Sequence, residues 1–306
     1  MSDLRVKLCG VEMAGPVVAA SGTFGFGGEY ADICDLSCLG GISGKGLTLH
    51  GQPGNQGERL WETPAGLINS IGLQNPGVQH FIDVELPEMK KLGTTVWANL
   101  GGHSIEEYVQ GAEMLSASDV DIIELNISCP NVKAGGMAYG VKAESASEVV
   151  SKVRSVCTKP LIVKLSPQAE DMVAMCKAVE AAGADGISLI NTLQACAIDI
   201  EKRRPVFNNI FAGLSGPAIR PVALRMVWQA VGAVNIPVVG LGGIATGRDA
   251  IEFIMAGAAA VQVGAASFAD PAACQRVTEE IEIWMDEHNV KTLEEIRGCA
   301  RVQADR

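Results

Sequence analysis

The chain has 306 residues, enough for one large α/β barrel or two ordinary domains. Its 24 basic residues against 35 acidic ones leave a formal charge of −11, which excludes a general affinity for nucleic acid or an anionic membrane surface. Hydrophobic residues make up 48%, ample for a core, yet no apolar run is long enough to span a membrane and the N-terminus lacks a signal-peptide core, so a cytoplasmic protein is expected.

Taken in order, residues 4–15 alternate about Gly10 and predict an N-terminal β-hairpin. Pro16–Ala20 is a first buried strand running into Ser21-Gly22-Thr23-Phe24-Gly25, and a short helical stretch follows at 29–35. Gly41–Lys45 is a second strand with a lysine at its C-terminal end. Residues 50–77 form a long connection rich in Gly, Pro and Asn, too apolar for disorder. A helix at 80–92 precedes a third strand, Thr94–Gly102, which carries Asn99 near its end, and Ser104 is placed to cap the next helix.

The fourth strand is the run Ile122–Asn131, apolar in its first half and ending on Asn126, Ser128 and Cys129 before Pro130. A loop over 130–140 with three glycines follows and suits a lid. Then come a helix at 144–156, a fifth strand at 161–167 with Lys164, a helix at 170–182 and a sixth strand at 186–192 ending Asn191-Thr192. A long loop through 215–217 leads to a helix at 218–232. A strand at 237–244, a helix at 246–256, an eighth strand at 260–266, a helix at 271–288 and a polar tail from 289 complete the chain. Eight buried strands alternating with helices predict a (β/α)8 TIM barrel with long active-site βα loops, taking 1–306 as a single domain. An open doubly wound sheet is the alternative.

A barrel gathers its strand ends at one mouth. Ser21, Lys45, Asn99, Asn126, Cys129, Lys164, Asn191 and Thr192 would meet there. Gly242-Gly243 and Gly264-Ala265, after the seventh and eighth strands, occupy the usual barrel phosphate site, although such glycines also simply make turns. The string G-L-G-G-I-A-T-G has the wrong spacing for a dinucleotide fingerprint. Lys45 and Lys164 suit charge compensation for an electron-rich ring or a carboxylate, or they snorkel to solvent. Converging amides at 69, 99, 126 and 191 suit a flat heterocycle with alternating C=O and N–H, while Asn69 and Asn75 are equally turn residues. Cys129 is either a small buried hydrophobe or a nucleophile or base. The four histidines form no metal or triad array, and Asp119 and Asp121 are expected in solvent. The nine cysteines are odd in number and scattered, with no C-x-x-C, so no metal or iron–sulfur framework is expected within the chain.

On A-A-S-G-T-F-G at 19–25, E-T-P-A-G-L-I-N-S-I-G-L-Q-N-P-G at 62–77, N-I-S-C-P-N-V-K at 126–133 and G-L-S-G-P-A-I-R-P at 213–221, nearly the whole chain resembles class 1 dihydroorotate dehydrogenase. It looks most like the class 1B branch, whose catalytic subunit pairs with an iron–sulfur flavoprotein that passes electrons to NAD. The resemblance implies an FMN barrel enzyme of pyrimidine biosynthesis that oxidises dihydroorotate to orotate, with Cys129 as the base. It implies that Lys45, Asn69, Ser70, Ile71, Gly72, Leu73, Asn126, Asn191 and Thr192 hold the substrate. It implies that Ser21, Lys45, Gly46, Asn99, Asn126, Lys164, Ile190, Gly216, Gly242, Gly243, Gly264 and Ala265 hold FMN, with Lys164 stabilising negative charge on the reduced ring. A homodimer core carrying a partner subunit with FAD and [2Fe-2S], together a heterotetramer, is expected, without nucleic acid or membrane. The 50–59 segment is less proline-rich than that family and the tail longer. Competing expectations are a dihydropyrimidine dehydrogenase, a tRNA dihydrouridine synthase, which the acidic charge disfavours, a class 1A-like homodimer using a soluble acceptor such as fumarate, and a non-catalytic phosphate-binding barrel.

Overall fold

The computed structural model of the chain describes residues 2–128 and 136–304. Its centre is a closed, all-parallel barrel of β1 (Val17–Ala19), β2 (Gly41–Ser43), β3 (Val96–Leu100), β4 (Ile122–Asn126), β5 (Leu161–Lys164), β6 (Gly186–Leu189), β7 (Val238–Leu241) and β8 (Ala260–Val263). The strands follow one another in chain order, and β8 closes onto β1 with Val261 opposite Val17. Every residue of these strands is buried, which is why they read as unbroken apolar runs rather than as alternation. The outer layer includes α1 (Ile105–Ser116), α2 (Ala143–Arg154), α3 (Met172–Ala181), α4 (Arg220–Val231), α5 (Gly247–Met255) and α6 (Ala273–Glu287). Their starts follow capping chemistry. Ser104 Oγ accepts from Glu107 N, the Asp171 carboxylate accepts from two backbone N–H groups, and Thr246 with Asp249 closes a reciprocal capping box. The hairpin is present as Val6–Leu8 paired with Val11–Met13.

The connections depart from the sequence expectation. The loop after β2 contains strands at His50–Gln52, Leu60–Thr63, Gly66–Asn69 and Asn75–Gly77, and the loop after β6 contains strands at Leu193–Cys196, Ile198–Asp199, Arg204–Pro205 and Phe211–Ser215. Four of these form one antiparallel sheet, in the order 193–196, 211–215, 66–69, 60–63, with Asn69 opposite Gly213. This sheet roofs the barrel mouth and has a small core of its own, Ile68, Phe207 and Ala212.

The expected helix at 80–92 is broken into an α turn, a wide π turn over Phe81–Glu85, a short α piece at Leu86–Met89 and a 3₁₀ end. Pro87 has no N–H to continue the ladder, so the helix restarts around it. The stretch at 29–35 supplies only a 3₁₀ turn, Gly28–Tyr30. The tail is not a polar appendage. Val290, Leu293 and Ile296 join the core, and the Arg301 guanidinium lies 4.6 Å over the Trp228 ring. Asp121 is not simply solvated, because its carboxylate accepts from Val96 N at 2.7 Å and pairs with Lys90 at 3.1 Å, pinning the start of β3. The expected lid falls mainly on residues outside the described ones, and its far end, Gly136–Val141, is helical. Among the described residues no helix is long and apolar enough to cross a membrane.

Candidate active site

Side chains two apart in a strand share a face, so Glu124 and Asn126 of β4 both point into the barrel. Glu124 is wholly buried, yet its four lone-pair positions are used. Oε2 accepts from Ser43 Oγ at 3.0 Å and Asn99 Nδ2 at 2.6 Å, while Oε1 accepts from Ser188 Oγ and Gln262 Nε2, each at 2.7 Å. These donors come from β2, β3, β6 and β8. A fifth strand sends the Lys164 ammonium to within 3.6 Å of Oε2. Burial alone would raise the Glu124 pKa; Lys164 and the hydrogen bonds outweigh it and hold the carboxyl below its ordinary range.

The network continues toward the mouth as a row of amides. Asn126 Nδ2 donates to Asn99 Oδ1 at 3.2 Å. Asn126 Oδ1 accepts from Ser128 Oγ at 2.9 Å and more distantly from Asn191 Nδ2 at 3.4 Å. Asn191 Nδ2 also donates to Ser128 Oγ at 2.8 Å, and Asn191 Oδ1 accepts from Thr192 N at 2.8 Å. The Tyr108 hydroxyl donates to the Asn126 carbonyl at 2.8 Å, which fixes the backbone where β4 ends.

Above this floor is a cavity of about 380 Å³, a size that suits a small cofactor or substrate. Its walls carry Ser21, Lys45 and Gly46 from the ends of β1 and β2, with Asn99, Asn126 and Lys164 from the floor. Lys164 is 4% exposed, whereas Lys45 is half-buried at the rim. The β6 end supplies Ile190, Asn191 and Thr192. Gly242, Gly243, Gly264 and Ala265 line one end together with Gly216. Gly243 has φ +76°, and a Cβ there would lie 2.7 Å from the Gly216 carbonyl, so two loops meet here with backbone alone. Such a corner presents N–H groups to an anion without side-chain obstruction. The roof contributes Asn69, Ile71, Gly72 and Leu73 from above. Asn69 Nδ2 donates to the Gly213 carbonyl at 3.2 Å, so it both ties the roof and faces the cavity.

Two expectations fare differently. Ser70 does not line the cavity; it is buried just past the end of the Gly66–Asn69 strand, and its hydroxyl accepts from Asn55 Nδ2 at 3.0 Å. Cys129 lies outside the described residues. Asn75 is a buried turn residue, accepting from Thr48 N and Gly77 N. Among the described residues no group of His, Cys, Asp or Glu is arranged to hold a metal.

Sequence reasoning missed Glu124 and its partners Ser43, Ser188 and Gln262. The available signal was a single acid inside a buried strand, two residues before an amide already singled out.

The fold and cavity define a (β/α)8 barrel enzyme with lysines and amides at the strand ends and a glycine corner at β7 and β8. The family model for dihydroorotate dehydrogenase matches residues 3–285, and the chain belongs to that family. It is 55% identical, over 97% of its length and 99% of the relative's, to the dihydroorotate dehydrogenase B (NAD(+)) catalytic subunit of Petrotoga mobilis. The same-named subunit of Citrifermentans bemidjiense is 52% identical over 97% of this chain and 98% of the relative, and that of Bacteroides thetaiotaomicron 49% over 99% and 100%.

Proposed function

We propose that the chain is the catalytic subunit of an NAD-linked dihydroorotate dehydrogenase, oxidising dihydroorotate to orotate with FMN in the cavity. The observation that carries this reading is the convergence of two lysines and the row of amides on one cavity beside a backbone-lined corner. FMN has a phosphate for that corner, and a ring whose reduced form is anionic for Lys164. Gln262 also lines the cavity, and its Oε1 is buried without a donor among the described residues, as expected where a ligand supplies one.

Bound FMN supplies the two-electron acceptor for the hydride leaving C6. The chain's own groups do the rest. The amide row of Asn126 and Asn191, with Asn69 above, offers donors and acceptors to the imide edge of the substrate ring. Lys45 at the rim offers a cation to its carboxylate, a group that dihydrouracil lacks, which favours dihydroorotate over the dihydropyrimidine reading. Cys129 takes the C5 proton on Sγ, and loss of that proton and the hydride leaves the C5=C6 double bond of orotate. A partner subunit carrying FAD and an iron–sulfur cluster would supply the route for electrons to NAD, within a heterotetramer built on a homodimer core in the cytoplasm.

Anaerobic addition of dihydroorotate should bleach the flavin of the purified yellow protein, and dihydrouracil should not. Cys129→Ala should keep the colour and lose turnover at neutral pH by about 10²–10⁴-fold. A colourless protein that takes up no FMN, or a preference for dihydrouracil, would refute the reading. Co-expression with an iron–sulfur flavoprotein should confer NAD-linked activity; its failure to do so would point to a homodimer with a soluble acceptor.

A further inference from the structure

Barrel interiors are ordinarily filled by layers of branched apolar side chains. Here one position is given to a carboxylate instead, and stability does not account for it, because replacing a buried ion pair by apolar residues is often neutral or favourable. Glu124 takes no part in the proposed reaction, and its connections lead to groups that do. A carboxylate can only accept, so Asn99 must turn its Nδ2 toward Glu124 and its Oδ1 away. That Oδ1 obliges Asn126 to present Nδ2 to it and Oδ1 to Ser128 and Asn191. An amide row is by itself ambiguous, since O and N exchange with little change of shape. The carboxylate removes the ambiguity at its source.

Its second connection is electrostatic. The Lys164 ammonium is buried and stands 3.6 Å from Glu124 Oε2, beyond a direct hydrogen bond but well within charge contact. A buried ammonium without a counter-charge tends to lose its proton. Lys164 lines the cavity, so its charge is felt by whatever binds there.

We infer that Glu124 is a positioning residue: it sets the donor–acceptor direction of the Asn99–Asn126–Asn191 row and supplies the counter-charge to Lys164 at the cavity floor. The inference rests on the FMN reading above, and through Lys164 it makes Glu124 a determinant of flavin potential.

The test compares E124Q with the unaltered holoenzyme, each carrying one FMN per chain, by spectroelectrochemical titration from pH 6 to pH 9. Gln preserves the shape and removes the charge. The cation left without its counter-charge should raise the midpoint potential above that of the unaltered protein. In a K164M background the same E124Q change should produce no such rise. The Gln amide must turn its N–H₂ toward either Asn99, which reverses the row and should lower orotate affinity about tenfold, or Gln262, which turns its Oε1 from the cavity and should lower FMN affinity by a similar factor. An unchanged midpoint potential, a rise of equal size in the K164M background, or orotate and FMN affinities both within twofold of the unaltered protein would overturn the inference.

If E124Q does not fold, S43A/S188A provides the alternative. It strips two donors from the carboxylate, and neither serine lines the cavity. Glu124 then protonates at a higher pH than in the unaltered protein, so the two potentials should diverge as pH falls, with the variant's the higher. Parallel curves would contradict the role. Absence of flavin from the unaltered protein would refute the FMN reading instead, which separates the two failures.

Discussion

The floor and the roof of the cavity are built by opposite means. The floor is made of parallel strands that are buried throughout, and its polar side chains satisfy one another: Glu124 alone takes four hydrogen bonds. The roof is a four-stranded antiparallel sheet drawn from two loops, with Trp61, Phe211 and Leu60 partly or largely exposed and a core of only three buried residues. The floor therefore fixes direction and charge, because each group's alternatives are closed off by neighbours. The roof fixes only position, chiefly through backbone pairing, and can separate from the barrel at much lower cost.

The contrast can be broken at matched amides. Asn126→Ala removes a floor group bonded to Asn99, Ser128 and Asn191 and should lower kcat/KM for dihydroorotate by about 10²-fold. Asn69→Ala in the roof loses one bond to a carbonyl and should cost less than about tenfold. Equal losses would mean that the roof is as directive as the floor. Phe207→Ala empties the roof's small core and should destabilise that sheet by about 3 kcal/mol. Limited proteolysis should then cut within 193–215 while the far-UV circular dichroism of the barrel persists; a concerted loss of both would show that the two regions melt together.

Acid should weaken the floor through Glu124. The Glu124 pKa is depressed in the fold, so its contribution to stability is complete above the ordinary carboxylate pKa and is lost as pH falls through the depressed value. The melting temperature of the unaltered protein should therefore fall more steeply on acidification than that of E124Q. The smallest effect concerns thiol labelling, best read in a Cys129→Ala background. Cys196 lies exposed in the roof and should react first with a thiol reagent at pH 8. Burial pushes Cys176 and Cys274 in the barrel layer up to about 12, so they should stay unreactive until the protein unfolds.

The same contrast explains what could be read from the chain. The barrel strands were legible because each is a short apolar run that carries its own signal, as in Leu161–Lys164 or Ala260–Val263. Most of the cavity lining followed, since residues at strand ends must meet once the barrel closes. The roof was not legible as a sheet because its pairing is remote: Asn69 finds Gly213, and neither segment shows the partner in its own pattern. Glu124 stayed hidden for a related reason. Ser43, Ser188 and Gln262 are unremarkable residues in separate strands, and only closure brings them to one carboxylate. Ser70 shows the limit of carrying over a contiguous motif, because its hydroxyl is engaged by Asn55 while its neighbours Asn69 and Ile71 face the cavity.

Closure of β8 onto β1 also has a consequence in time. Val17 cannot meet Val261 until residue 261 has been made, which at ordinary ribosomal rates is roughly 12–50 s after Val17 itself. During that interval β1 has one side without its partner, an open strand edge of the kind that pairs with other chains. The stretch leading up to Val263 therefore governs whether the nascent barrel escapes aggregation. Slowing translation within residues 205–263 should cost more soluble protein than an equal delay placed after residue 263.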